Sequence, residues 1–258
     1  MDRLNKIYSD IKKVKIQGAT NIARAAVKIY NGKNKKKLLS LRPTEPMLSN
    51  AINFADKIGK EKVLSHFSDA QEKINKNILG LIKSGNVIYT HCHSTNVVKA
   101  LIYAHKKGKK FSVVNTETRP LFQGRRTAKE LSRAKIKVTT FVDSAMHEAI
   151  MKCDLVLLGA DAILKRGAIN KIGSDTIAEL SQMHKKPLYI VADSWKFSPK
   201  NVKIEERDFH EVWKNAPKQI KIMNPAFAMI DKKYIRGIIS EYGVLGFDKF
   251  VKKADRAI

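Results

Sequence analysis

Asn86-Val87-Ile88-Tyr89-Thr90-His91-Cys92-His93-Ser94-Thr95-Asn96 opens on a short apolar run, stops at a polar turn and passes into a helical pattern that runs on to Lys106. Val, Ile, Tyr and Thr favour a strand, and a run apolar on both faces suits a strand buried between two layers of helices. Ser94 and Thr95 stand where the helix begins, as residues with a side-chain oxygen do when they cap free amides. The unit then repeats downstream. Phe111-Ser112-Val113-Val114 precedes a helical segment at Ala128 to Ala134. Val138 to Val142 precedes Ala145 to Lys152, Leu155 to Leu158 is followed by a helix over Asp175 to His184, and Leu188 to Val191 closes the series. Strands alternating with helices predict βαβ units, and right-handed crossovers make the sheet parallel.

Upstream the period changes. The first 80 or so residues repeat as helices, with Asn21 to Tyr30 an Ala-rich amphipathic stretch and Pro43 and Pro46 marking a junction. Met47 to Phe54 begins another helix, and Glu72 to Ile82 completes the group. The reading is α/β: an N-terminal helical domain over 1–84, followed by a Rossmann-like parallel-sheet domain over 85–258. The segment from Asn224 to Ile258 carries Ile235, Ile238, Ile239, Val244 and Leu245, so it is expected to pack on the body or on a second subunit.

The composition excludes several classes. Hydrophobic residues make up 43% and charged residues 29% of 258, which is globular and not disordered. No apolar run approaches the roughly 20 residues that cross a bilayer, and Met1 to Lys13 lacks the apolar core of a secretory signal. With two cysteines, Cys92 and Cys153, a disulfide framework is not expected and a cytoplasmic setting is. The formal net charge is +26, from 50 Lys and Arg against 24 Asp and Glu. The lysines are scattered, the basic runs are short, and no aromatic stripe interleaves them. They therefore read as a solvated surface in preference to a nucleic-acid site. A positive field also collects small phosphorylated ligands.

In an open parallel sheet, ligands bind beyond the carboxyl ends of the strands. His91 to Asn96, Asp143-Ser144, Gly159-Ala160-Asp161, and Asp193, Ser194 and Lys196 all follow strands and are expected on that rim. Ser94 and Thr95 at a helix start read either as an anion site or as plain caps. His91 and His93 raise the question of a metal, but no further Cys/His cluster supports one, and no metal is assigned. Cys92 at a helix start in a basic protein is expected to have a lowered pKa. Asp161 precedes an expected loop with Lys165, Arg166, Gly167, Asn170 and Lys171. That is either a carboxyl acid/base beside a phosphate clamp or a capping Asp with a solvated loop.

Six motifs occur in order: Thr90-His91-Cys92-His93-Ser94; Thr116-Glu117-Thr118-Arg119-Pro120-Leu121-Phe122-Gln123-Gly124-Arg125; Asp143-Ser144-Ala145; Gly159-Ala160-Asp161-Ala162-Ile163; Ile169-Asn170-Lys171-Ile172-Gly173; and Ala192-Asp193-Ser194-Trp195-Lys196-Phe197. Together they resemble a superfamily that joins the α, β and δ regulatory subunits of initiation factor 2B with two sugar 1-phosphate isomerases. These are methylthioribose-1-phosphate isomerase and archaeal ribose-1,5-bisphosphate isomerase. The likeness runs from Ile11 to Gly243. Cys92 and Asp161 match the pair that the isomerases keep and the regulatory subunits typically lack. Gly167 to Lys171 looks closer to the ribose-bisphosphate enzyme.

The resemblance implies an aldose–ketose isomerase of a phosphorylated pentose, ribose 1,5-bisphosphate to ribulose 1,5-bisphosphate, serving nucleotide or nucleoside salvage. Cys92 would remove a proton and Asp161 return one, with no cofactor. Ser94, Thr95 and Asn96 would hold one phosphate; Asn170, Lys171 and Lys196 would hold sugar hydroxyls or the second phosphate. Arg42 would reach in from the helical domain, and Gln17-Gly18-Ala19-Thr20 stands where the ribose-bisphosphate enzymes look to have Arg-Gly-Ala. Glutamine keeps hydrogen bonding but lacks a bidentate cation. The implied partners are a small phosphorylated sugar, a nucleotide effector and further copies of the chain, as a dimer or hexamer. The alternatives are an initiation factor 2B-like regulatory subunit that binds a nucleotide or sugar phosphate without turnover, and an RNA-associated protein of the same fold.

Overall fold

The computed structural model describes residues 3–13, 15–42 and 44–258; Pro43, expected to mark a junction, lies outside them. Five helices come first: α1 (Arg3–Lys12), α2 (Ala19–Ile29), α3 (Lys35–Leu39), α4 (Pro46–Ile58) and α5 (Lys60–Asn77). In α2 the buried residues are Ala19, Ile22, Ala23, Ala26 and Val27, one stripe at helical spacing. They pack with Leu48, Ala51 and Ile52 of α4 and with Phe67 of α5 in a core that also takes Trp195 from the sheet region. Proline stands at the first position of α4, where its missing N–H costs nothing.

The rest of the chain is β1 (Asn86–Thr90), α6 (Thr95–Lys106), β2 (Phe111–Thr116), α7 (Gln123–Arg133), β3 (Lys137–Phe141), α8 (Met146–Met151) and β4 (Leu155–Leu158). It continues with β5 (Ala162–Leu164), β6 (Gly167–Lys171), α9 (Ser174–Met183), β7 (Leu188–Val191), β8 (Phe227–Asp231), β9 (Gly237–Ser240), β10 (Gly243–Leu245) and α10 (Phe247–Ala257). The main sheet has the order β10-β9-β7-β4-β1-β2-β3, parallel throughout except for the β9–β10 hairpin. The chain leaves β1 towards β2 and β3, then returns to place β4 on the other flank of β1. That reversal between β1 and β4 is the switch point, where the following loops diverge and leave a crevice.

Several details differ from the sequence reading. The expected loop after Asp161 is an antiparallel hairpin, β5 on β6, and β8 joins it to make a second, three-stranded sheet. Its period was hidden because β6 is buried on both faces, Asn170 and Lys171 included. The segment from Asn224 onward joins the body, with β8 in that small sheet and β9 beside β7. α7 starts at Gln123, ahead of the expected Ala128, straight after Phe122 in a left-handed conformation with φ 56°. The helix expected over Ala145 to Lys152 is a 3-10 turn at Asp143–Ala145 followed by α8. β3 is an edge strand, so Thr139 and Thr140 are exposed. Among the described residues no helix is long and apolar enough to cross a membrane.

Candidate functional site

At the switch point a cavity of about 770 Å³, counted with its open mouth, is lined by Cys92 and Asp161 and by every residue to which the resemblance assigns substrate binding. Cys92, Ser94, Thr95 and Asn96 come from the β1–α6 turn, and Asp161 from the turn between β4 and β5. Asn170 and Lys171 end β6, and Lys196 follows β7. The helical part adds Gln17, Gly18, Ala19 and Thr20 at the start of α2, and Arg42 ahead of α4. The two regions are tied across this junction. Asn50 Nδ2 donates to the carbonyls of Trp195 (2.8 Å) and Phe197 (3.0 Å), and Arg42 Nε donates to Glu205 at 2.8 Å.

Local structure explains how the chemistry is presented. Cys92 has φ 61°, a left-handed conformation that costs a non-glycine residue about 1–3 kcal/mol unless neighbours hold it. They do: its amide donates to Thr118 Oγ1 at 3.0 Å and its carbonyl accepts from Thr127 Oγ1 at 2.7 Å. Ser94 caps α6 by accepting from the Val97 amide at 3.4 Å. Gly18, with φ 86°, stands at the N-cap of α2, and no side chain caps that helix. The first amides of a helix have no partner within it and carry the positive end of its dipole. Two such starts, those of α2 and α6, therefore open into one cavity, the arrangement that attracts anions.

Gly159 brings the β4 rim against that of β1. A Cβ there would lie 2.6 Å from the Ser94 side chain. Gly159→Ala is therefore expected to destabilise the protein by about 1–3 kcal/mol and to displace the α6 cap, read as a lower melting temperature together with weaker phosphate binding. An unchanged melt would show that the two rims separate freely.

Charge in the cavity is mixed and desolvated, with Arg42, Lys171, Lys196 and Arg207 set against Glu45 and Asp161. Lys196 Nζ donates to Asn96 Oδ1 at 3.1 Å, and the Asn96 amide in turn donates to Gln71 at 2.9 Å. Burial pushes the Lys196 pKa down, while Asp161, Asp193 and Glu45 hold it up. Burial raises the Asp161 carboxyl against the pull of Lys196, Lys171 and Arg42, so it keeps its proton to higher pH than a free aspartate. The Cys92 thiol corrects the sequence expectation. Burial pushes it up to about 11; Lys171 opposes this, and Asp161 and Asp143 add to it. The helix start does not win, because desolvation of a thiolate outweighs a partial dipole charge.

Residues 11–246 match the model of the initiation factor 2 subunit family. The ribose 1,5-bisphosphate isomerase of Methanocaldococcus jannaschii is 36% identical, over 95% of this chain and 92% of its own length. The chain belongs to the initiation factor 2 subunit family. The ribose 1,5-bisphosphate isomerase of Archaeoglobus fulgidus is a second relative, 35% identical over 95% of this chain and 90% of its own. Among solved structures, a translation initiation factor eIF-2B of Pyrococcus horikoshii OT3 superposes with a TM-score of 0.85 at 25% identity, covering 97% of this chain and 99% of that one.

In this member of the family, other rim residues serve the walls and not the cavity. Asp143 accepts from the amides of Thr118 (2.8 Å) and Arg119 (2.6 Å) and so holds the loop after β2. Asp193 accepts from the Trp195 amide at 2.8 Å and faces His66 Nε2 at 3.2 Å. His91 has both ring nitrogens occupied, by Thr116 Oγ1 at 2.7 Å and the Ile172 carbonyl at 3.0 Å, and burial lowers it to about 4. It is a neutral wall residue and not a ligand. The sequence reading missed Glu45, Arg207 and Phe227, which also line the cavity. Phe227 starts β8 opposite Lys171 in the ladder, and the Lys171 ammonium lies 5.6 Å from its ring centroid. Arg207 and Glu205 sit in 198–224, a stretch with no strand or helix period, so no local pattern points at either.

Proposed function

We propose that this chain is an aldose–ketose isomerase that converts ribose 1,5-bisphosphate into ribulose 1,5-bisphosphate. The observation that carries it is one cavity lined by Cys92 and Asp161 together with the starts of α2 and α6 and the cations Lys171 and Lys196. A thiol and a carboxyl supply two proton-transfer groups, and two helix starts supply two places for phosphate. The relatives named ribose 1,5-bisphosphate isomerase support the same reading.

The proton count closes on the chain's own residues. Asp161, whose carboxyl burial makes a weaker acid than a free aspartate, gives a proton from its protonated form to the ring oxygen as the furanose opens. The Cys92 thiolate takes the proton from C2. The thiol then returns that proton to C1, and the Asp161 carboxylate accepts the proton of the C2 hydroxyl as the ketone forms. Both groups end as they began. The helix starts at Gly18 and Ser94 hold the phosphates, Asn170 and Lys196 orient the sugar, and Gln17 takes part as a neutral hydrogen-bonding group.

Because burial pushes the Cys92 thiol up to about 11, the thiolate fraction, and with it kcat/KM on the Cys92 limb, is expected to rise about tenfold per pH unit from about pH 7 to about pH 10. Alkylation of Cys92, located by mass spectrometry, should follow the same curve. A plateau well below pH 9 would contradict it.

The deciding experiment is an NMR assay of the purified, reduced protein with ribose 1,5-bisphosphate, with ribulose 1,5-bisphosphate as the expected product. No product, but a thermal shift on adding the sugar phosphate or a nucleotide, would favour the alternative of a regulatory subunit that binds its ligand without turnover. We further propose that the chain assembles with copies of itself. Ile204, Phe209, Trp213, Ile220 and Met223 are exposed along one segment, the kind of surface that a subunit contact covers. Light scattering should show a dimer or larger form.

A further inference from the structure

Glu45 stands just ahead of α4, is 3% exposed and lines the cavity. Its Oε1 lies 2.7 Å from Arg42 Nη2, and Arg42 spends its Nε on Glu205 at 2.8 Å. Its Oε2 is buried and has no hydrogen-bond partner among the described residues. A buried acceptor without a donor is costly, and a ligand that brings a donor recovers the loss. The ligand group that fits is narrowly defined. Asp161 and Glu205 already act on Glu45 as like charges, and an ionised phosphate oxygen brings no donor to Oε2, so a phosphate does not suit this position. A neutral hydroxyl that donates is welcome.

We propose that Glu45 is a substrate-binding residue whose free carboxylate oxygen accepts a hydrogen bond from a secondary hydroxyl of the pentose, so that the cavity selects ribose over a deoxypentose. This rests on reading the cavity as a pentose phosphate site. It also orients the sugar: phosphates lie towards the helix starts, and the hydroxyl edge towards α4.

The state of Glu45 adds a pH signature. Burial pushes its carboxyl up to about 7; Arg42 and, more weakly, Lys196 pull it down, whereas Asp161 and Glu205 push it up. The ionised form is the stronger acceptor. Selectivity therefore grows as pH rises through about 7 and fades below it.

The test uses the full chain carrying Cys92→Ser, so that nothing turns over, with calorimetric affinities for ribose 5-phosphate, 2-deoxyribose 5-phosphate and 3-deoxyribose 5-phosphate. At pH 8 one deoxy sugar is expected to bind at least about tenfold more weakly than ribose 5-phosphate, since hydrogen bonds to charged groups contribute that much. The gap narrows at pH 6. Adding Glu45→Ala closes it. Adding Glu45→Gln, nearly isosteric and so a guard against misfolding of the alanine variant, keeps a smaller gap with no pH dependence.

Equal gaps with and without Glu45→Ala would overturn the assignment, as would a parent protein that binds all three sugars alike. A parent that binds neither ribose 5-phosphate nor ribose 1,5-bisphosphate would overturn this proposal and the pentose phosphate reading together. Retained binding with an unmoved gap would sink only the role of Glu45.

Discussion

Cys92→Ser is expected to lower kcat by about a hundredfold to ten-thousandfold, the range that a positioned acid or base contributes, while leaving substrate affinity within a few-fold. A serine hydroxyl is a far weaker acid than a thiol, so in a site that already pushes the thiol up to about 11 it would never ionise. The fold should tolerate the change. The backbone at Cys92 is held by Thr118 and Thr127 through its amide and carbonyl, not through its sulfur. The measurement pairs single-turnover kinetics with a ligand-induced thermal shift. Turnover within a few-fold of the parent would remove Cys92 from the chemistry. Loss of both turnover and binding would point to a collapsed site.

Asp161→Asn should cost a similar factor in kcat for a different reason. The carboxamide fills the same space and still hydrogen bonds, but it cannot carry a proton between ring oxygen and hydroxyl. Its effect on binding should run the other way. In its ionised form Asp161 is the foremost carboxylate holding Lys196 charged and also offsets Lys171 and Arg42, so its neutral replacement leaves the cavity more positive at every pH where that carboxylate is ionised. Affinity for a phosphorylated sugar is expected to hold or to tighten, most visibly at low salt. A variant that keeps its rate would show that Asp161 only balances charge. One that loses affinity would show that it binds the sugar directly.

Much of this site is legible in the chain itself. The run Val87 to Thr90 with its polar turn marks a strand end, and in a parallel sheet a strand end is where ligands go. Cys92, Ser94, Asp161 and Lys196 could therefore be placed on one rim although they are far apart in sequence. The same logic over-reached at Asp143 and Asp193, which also follow strands. Their carboxylates are consumed by backbone amides of neighbouring turns. A strand-end aspartate that holds a loop and one that faces a cavity look alike until the loop is in place.

What the sequence determined by itself is the alternation of strand and helix, the helical lead-in, the six ordered motifs of the family and the chemical types on the rim. All of these are set by periodicity and residue identity within short windows. Only the tertiary structure decided that the start of α2 opens into the same mouth as α6, and that Glu45 and Arg207 join it from segments with no period of their own. It also decided that β6 is closed by β8, pairing Gly167 with Asp231 and Lys171 with Phe227. The thiol of Cys92 shows the physical reason. Its local setting, a helix start in a basic protein, lowers a pKa, but the burial created when distant segments meet raises it more. Local sequence carries charge and hydrogen-bonding capacity; the removal of water that sets their energies belongs to the assembled fold.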